Sequence, residues 1–192
     1  MKILLVVATK SEIIEDKFKD CDVIVTGVGM VNTTFSLTKI LSEKDYDLVI
    51  NMGVSGSFSD ELKNGDVVEV VEDNFSEIGF ENDLEFSKFT DFDLKTKYLN
   101  NSRTSLKKVR AITVNTVHGK NETISEIVKR ESSEIESMEG ASVFKVCEEM
   151  KIPCVQIRSI SNKVEKRNKN NWDLDVAIKN LNIKVEKIIN NL

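Results

Sequence analysis

The sequence contains no CxxC pair and no Cys/His cluster. Its three cysteines, Cys21, Cys147 and Cys154, form an odd set in apolar surroundings. That pattern argues against a metal-ligand constellation, so no metal is expected, and it reads as reduced core thiols of a cytoplasmic protein. A long Lys/Arg run is also missing. With 27 basic and 32 acidic residues the net charge is −5, which favours neither a nucleic-acid surface nor an anionic membrane and leaves a small molecule or another copy of the chain as the expected partner. No apolar run is long enough to span a bilayer. The apolar run at residues 1–8 is short, and the acidic Glu12, Glu15 and Asp16 follow without a cleavage-like site, so it reads as a buried first strand rather than a signal peptide. Proline occurs once, at Pro153, where it opens a strand and its missing N–H is tolerated. There is no internal repeat and no low-complexity linker. What remains, 192 residues of which 40% are hydrophobic and 31% charged, suits one well-cored α/β domain over residues 1–192.

Short apolar runs alternate with helical patterns. Strands are expected near residues 2–7, 22–26 and 48–52, with helices near 11–18 and 30–42 between them, the rhythm of βαβ units. A strand near 65–72 is followed by an irregular acidic, Phe-containing stretch over 73–101, read as an insertion over one end of the sheet. A strand at 109–115, helices near 122–130 and 140–150, and a strand at 154–160 resume the alternation. Apolar residues at Leu174, Ile178, Leu181, Val185, Ile188 and Leu192, three and four apart, predict a final helix packed on the sheet. Residues 168–171 read as a polar loop.

Candidate chemistry gathers at the expected carboxyl ends of strands. Gly27-Val28-Gly29 follows a strand and precedes a helix, a context that brings backbone and a helix N-terminus close to a polar ligand. Position 32 is Asn32 rather than a third glycine, which disfavours a dinucleotide. Gly53-Val54-Ser55-Gly56 reads as a second glycine turn after the third strand, and paired turns at neighbouring strand ends mark where open α/β sheets bind ligands. Glu12 lies at the same edge, where it is either a dipole-stabilised helix-start acid or a functional carboxylate. From residue 137 to 162 a carboxylate (Glu139), a guanidinium (Arg158) and an amide (Asn162) fall near the ends of two adjacent elements. Singly, Glu139 is a candidate cap and Arg158 a candidate ion-pair partner; together they form a site signature.

These residues carry a resemblance. Residues 25–29 (VTGVG), 51–58 (NMGVSGSF), 65–68 (GDVV), 136–141 (ESMEGA) and 157–162 (IRSISN) resemble the nucleoside phosphorylase and nucleosidase superfamily, nearly end to end. Residues 164–167 (VEKR), Trp172 and Ala177-Ile178 are similar to its futalosine hydrolase branch. The resemblance implies a three-layer α/β fold with a mixed central sheet flanked by helices. It also implies a purine nucleoside substrate, no cofactor, a homo-oligomer, and hydrolysis of the N-ribosidic bond of futalosine in menaquinone biosynthesis. The alternatives are a methylthioadenosine/S-adenosylhomocysteine-type nucleosidase, a purine nucleoside phosphorylase, or a non-catalytic purine-binding protein.

Within the resemblance, phosphorylases hold phosphate with an early arginine and an Arg-Val-Gly-Ser motif, whereas this chain offers Glu12 and residues 51–54 (NMGV) there. A carboxylate repels phosphate and suits activation of water. The roles implied are Glu12 as base, Arg158 orienting a carboxylate or the water, Glu139 accepting from ribose hydroxyls and Met138 packing on the sugar. Gly53, Val54, Ser55, Gly56, Val117 and His118 are expected around the substrate; an exposed loop position is the alternative for His118. Where adenine-directed nucleosidases carry Asp, Asn162 donates to a 6-oxo group and accepts from a protonated N7, which suits hypoxanthine. The benzoate of futalosine calls for a cation, with Lys163, Arg167 and residues of a neighbouring subunit as candidates. Phe75, Phe80, Phe86, Phe89 and Phe92 either cover that tail or simply pack.

Overall fold

The computed structural model describes residues 1–83 and 85–192. Its elements in chain order are β1 (Ile3–Val7), β2 (Asp22–Val25), α1 (Met30–Glu43), β3 (Leu48–Ser57), β4 (Val67–Phe75), β5 (Phe80–Glu81), β6 (Phe86–Ser87), β7 (Lys97–Leu99), β8 (Lys107–Thr113), α2 (Asn121–Arg130), β9 (Ile135–Ser137), α3 (Gly140–Glu149), β10 (Cys154–Lys163) and α4 (Leu174–Ile189). The expected helix at 11–18 is absent. In its place stand two short 3-10 turns, Lys10–Glu12 and Glu15–Lys17, because the Glu12 side chain turns back onto the backbone N–H groups of Ala8 and Thr9 instead of facing solvent from a helix. Residues 53–56 are likewise not a turn: they lie inside β3, which runs ten residues.

The sheet is mixed. β3 pairs parallel with β1 along Leu48–Asn51 and with β10 along nearly its whole length. At its far end it pairs antiparallel with β9, Gly56 opposite Glu136 and Ser57 opposite Ile135. β10 continues to β4, β4 to β8 and β8 to β9. The five strands β3, β10, β4, β8 and β9 therefore close on themselves, and β1 and β2 extend from the near half of β3. Between Asn51 and Gly56 one edge of β3 has lost β1 and has not yet met β9.

Helices cover both faces. Alternation along β1 sends Leu4 and Val6 to a core shared with Leu37 and Leu41 of α1 and with Ala141, Val143 and Phe144 of α3. Ile3, Leu5 and Val7 face Leu181 and Val185 of α4. Seven of the ten residues of α3 are buried, and its charged residues, Lys145, Glu148 and Glu149, fall on the one exposed side. The capping carboxylate of Asp173 starts α4 by accepting from the Val176 N–H. The α4 face is narrower than its spacing predicts: Ala177, Leu181 and Val185 are buried, while Leu174 is exposed and Leu192 lies beyond the helix.

The stretch expected to be an irregular insertion keeps Asp73, Asn74 and Phe75 in β4 and contributes β7 beside them. Phe75 packs edge-on against Tyr98, whereas Phe80, Phe89 and Phe92 stack on one another as a partly exposed cluster and Phe86 lies under Arg130.

One fully buried polar residue of α4, Asn182, ties this helix to the Glu12 segment. Its amide donates to the Glu12 carbonyl at 3.0 Å and its carbonyl accepts from the Ile14 N–H at 2.8 Å. Replacing Asn182 by Ala strands both backbone groups, which is expected to lower stability by about 1–3 kcal/mol in urea titration. Activity should fall beyond what the folded fraction explains.

Candidate active site

The gap in β3 pairing holds the candidate site. Glu12 is buried beside it. One carboxylate oxygen, Oε2, accepts from the N–H groups of Ala8 and Thr9 at 3.1 and 3.0 Å, and the other, Oε1, accepts from the Val54 N–H at 3.2 Å. These three fixed donors leave the carboxylate oriented rather than free to swing. Val54 is available to donate because neither β1 nor β9 pairs with β3 there.

Arg158 approaches from β10, where it stands opposite Gly53. Its guanidinium is 1% exposed and donates through Nη2 to Asn51 Oδ1 at 2.6 Å, while Nε has no partner among the described residues. Gly53 is required by this crowding. A Cβ there would stand 2.6 Å from Arg158 Nη1 and 2.8 Å from Glu12 Oε1, so both charged groups lie directly over its Cα.

Glu139 is the residue before α3 and is buried to the same extent as Glu12. Its Oε1 accepts from the Gly29 N–H at 3.0 Å, across from the β2–α1 turn. Gly29 presents that N–H from a φ of +94°, a conformation that side chains other than glycine's rarely adopt. Burial pushes the Glu139 carboxyl above its ordinary pKa, Arg158 and the Gly29 N–H draw it back, and the nearby Glu12 adds to the rise. Met138 is half-buried beside it.

Beneath Glu139 lies a polar network that sequence reading missed. Asp73, fully buried, accepts from Thr113 Oγ1 at 2.9 Å and from Gln156 Nε2 at 3.0 Å. Thr113 Oγ1 in turn accepts from the Ala141 N–H at 2.8 Å, so the network caps the start of α3. Burial raises the Asp73 carboxyl to about 6, against the lowering effect of Gln156, Thr113 and Arg158. Its signal in the sequence is faint, because Asp73, Thr113 and Gln156 sit in strands that carry other polar residues as well.

The far end of β3 holds the second cluster. Asn162 stands opposite Gly56 after an irregularity in the register. Its Oδ1 accepts from Ser161 Oγ at 2.8 Å and its Nδ2 donates to the Lys163 carbonyl at 2.9 Å. On the other side of Gly56, Glu136 accepts from the His118 N–H at 3.0 Å and lies 2.6 Å from His118 Nδ1. His118 is thus held in place and is not an exposed loop residue. Val117, next to it, is exposed, and Ser55 is buried in β3. Glu12, Gly53, Val54 and Arg158 converge, Glu139 lies close enough to feel Glu12 and Arg158, and Asn162, Gly56 and His118 form the adjoining cluster. Lys163 pairs with Asp60 on the surface and Arg167 lies over the Trp172 ring. Among the described residues no group of three or more His, Cys, Asp or Glu could hold a metal ion, and no helix is long and apolar enough to cross a membrane.

The family model described as the phosphorylase superfamily matches residues 11–190. The chain belongs to this phosphorylase superfamily. Among curated superfamily proteins it is 30% identical over 183 residues to the 5'-methylthioadenosine/S-adenosylhomocysteine nucleosidase of Psychromonas ingrahamii, covering 87% of this chain and 79% of that protein. It is 27% identical over 174 residues to the aminodeoxyfutalosine nucleosidase of Campylobacter jejuni, covering 82% and 75%. The superfamily fold is also that of the native futalosine hydrolase structure of Helicobacter pylori, with a TM-score of 0.88 at 18% identity over 100% of this chain and 98% of that one. Within the superfamily the chain is an N-glycosyl hydrolase of the nucleosidase kind.

Because the atoms that a Cβ at position 53 would meet are side-chain ends rather than backbone, Gly53→Ala should still fold, with a melting temperature lowered by the hydrogen bonds that Glu12 and Arg158 lose. It should displace both charged groups, and a misplacement of about 1 Å is expected to lower kcat by about 100-fold in a steady-state assay.

Proposed function

We propose that this enzyme hydrolyses the N-ribosidic bond of futalosine, releasing hypoxanthine and dehypoxanthine futalosine in menaquinone biosynthesis. The observation that carries the reading is Asn162, with its amide held by Ser161 and Lys163 at the cluster beside the proposed base. Glu12 removes a proton from water as the oxygen attacks C1′. The C1′–N9 bond breaks through an oxocarbenium-like state, its electron pair passes to the purine, N7 takes a proton from solvent water, and Glu12 returns its own proton to solvent. Asn162 accepts from that N7–H and donates to the 6-oxo group. Glu139 accepts from the ribose hydroxyls and Met138 packs on the sugar. Arg158, fixed by Asn51, orients the water beside Glu12. Gly53, Val54, Ser55 and Gly56 form the floor, and Val117 and His118 border the purine.

Hydrolysis rather than phosphorolysis is supported by the carboxylate of Glu12 over Gly53, where a phosphate would meet like charge. A second reading, a methylthioadenosine/S-adenosylhomocysteine-type nucleosidase, is favoured by the 30% identity to the Psychromonas protein. A cytoplasmic location fits the three free thiols. The decisive assay incubates the enzyme with futalosine in phosphate-free buffer and follows hypoxanthine. Release is expected, with Asn162→Asp moving preference toward 6-aminopurine nucleosides. Equal native cleavage of 6-oxo and 6-amino substrates would defeat the reading.

The reading includes a homo-oligomer. Its support is α1, which exposes Val31 and Phe35 by 80% and 70% along an apolar groove of about 600 Å³ that also includes Met30 and Phe75. An apolar patch of this kind on a soluble protein marks a contact surface. Phe35→Glu is expected to reduce the mass measured by light scattering to that of one chain, and a native protein already at that mass would exclude the oligomer.

A further inference from the structure

A 6-oxopurine presents three polar positions in a row: N7, which is protonated as the base leaves, the O6 acceptor, and an N1–H donor. A 6-aminopurine reverses the last two, with an amino donor and a bare N1 acceptor. Asn162 serves N7 and O6, so a site that selects the 6-oxo form still needs an acceptor for N1–H.

The residues flanking Gly56 supply one. Asn162 and Glu136 both stand opposite Gly56, from β10 and β9 respectively. A Cβ on Gly56 would meet Asn162 Nδ2 at 3.3 Å and Glu136 Cγ at 3.7 Å, so both side chains lie over the same α-carbon. Glu136 is 3% exposed, a buried carboxylate that the cleavage chemistry does not use. It grips His118 twice, through the backbone N–H at 3.0 Å and at Nδ1 at 2.6 Å. The Phe58 ring, edge-on at 6.2 Å between centroids, supports the imidazole from another side. A carboxylate at Nδ1 keeps the proton of the neutral ring on that nitrogen and leaves Nε2 as an acceptor. Nε2 has no partner among the described residues, and the side chain retains 14% exposure, so it can reach a ligand.

We propose that His118, its tautomer set by Glu136, is a specificity-determining residue that accepts a hydrogen bond at Nε2 from the N1–H of a 6-oxopurine. This rests on the futalosine reading and completes it: Asn162 reads the N7 side of the base and His118 the N1 side. Glu136 is a positioning residue, acting through the imidazole.

The test is a ratio. Values of kcat/KM are measured for futalosine and for its 6-amino counterpart with the native enzyme, His118→Phe and Glu136→Gln. His118→Phe keeps an aromatic ring but removes the acceptor, and it should lower kcat/KM for futalosine about tenfold or more, mainly through KM, while leaving the 6-amino substrate within about threefold. Glu136→Gln lets the ring carry its proton on Nε2, which turns an acceptor into a donor, and should move the ratio toward the 6-amino substrate. A merely structural clamp on the loop would depress both substrates alike. Native preference for futalosine with a ratio unmoved by His118→Phe overturns this inference alone. Native preference for the 6-amino substrate overturns the futalosine reading and this inference with it.

Discussion

The site depends on one change of neighbour within one strand. β3 runs beside β1 through Asn51 and beside β9 from Gly56, while β10 stays along its other edge. A strand in a continuous sheet would have its N–H groups taken by the ladder. Here the Val54 N–H is released to a carboxylate, and Gly53 lets two charged side chains lie on the backbone. The change of neighbour therefore supplies both the cleft and the first of the groups that organise it, which is the general logic of ligand sites at switch points of α/β sheets.

The second requirement is to keep three charged groups, Glu12, Glu139 and Arg158, away from bulk water without leaving them loose. Each carboxylate is met chiefly by backbone N–H groups, with the Thr9 hydroxyl at a longer distance from Glu12, and the guanidinium is anchored by Asn51. Fixed dipoles of this sort need little reorganisation when charge develops on a substrate. Asp73 extends the same principle downward: a buried acid, held by Thr113 and Gln156, stabilises the turn from which Glu139 projects.

Much of this was legible in the sequence, and the misses have common causes. Strands β1, β2, β8 and β10 and helices α1 to α4 follow from apolar periodicity, and the pairing of Glu139 with the Gly29 turn fits their expected strand-end positions. The supposed helix at 11–18 failed because the amphipathic pattern of residues 11–18 competes with a side chain that caps its own upstream backbone. The supposed turn at 53–56 failed because two glycines in a strand read as a break, whereas here they make room for Arg158, Glu12 and Asn162. The three-residue β9 carries too little pattern to be seen. Asp73, Gln156 and Glu136 do not stand out in the sequence because a polar residue in a strand of mixed composition has no meaning until its cross-strand neighbours are known.

The bond between α4 and the Glu12 segment joins residues 168 and 170 positions apart. Contacts of such separation form late, since the chain must first give up the entropy of closing a very long loop. The segment that carries Glu12 is thus tied down from the far end of the chain, so a change in α4 reaches the site through the backbone of residues 12–14.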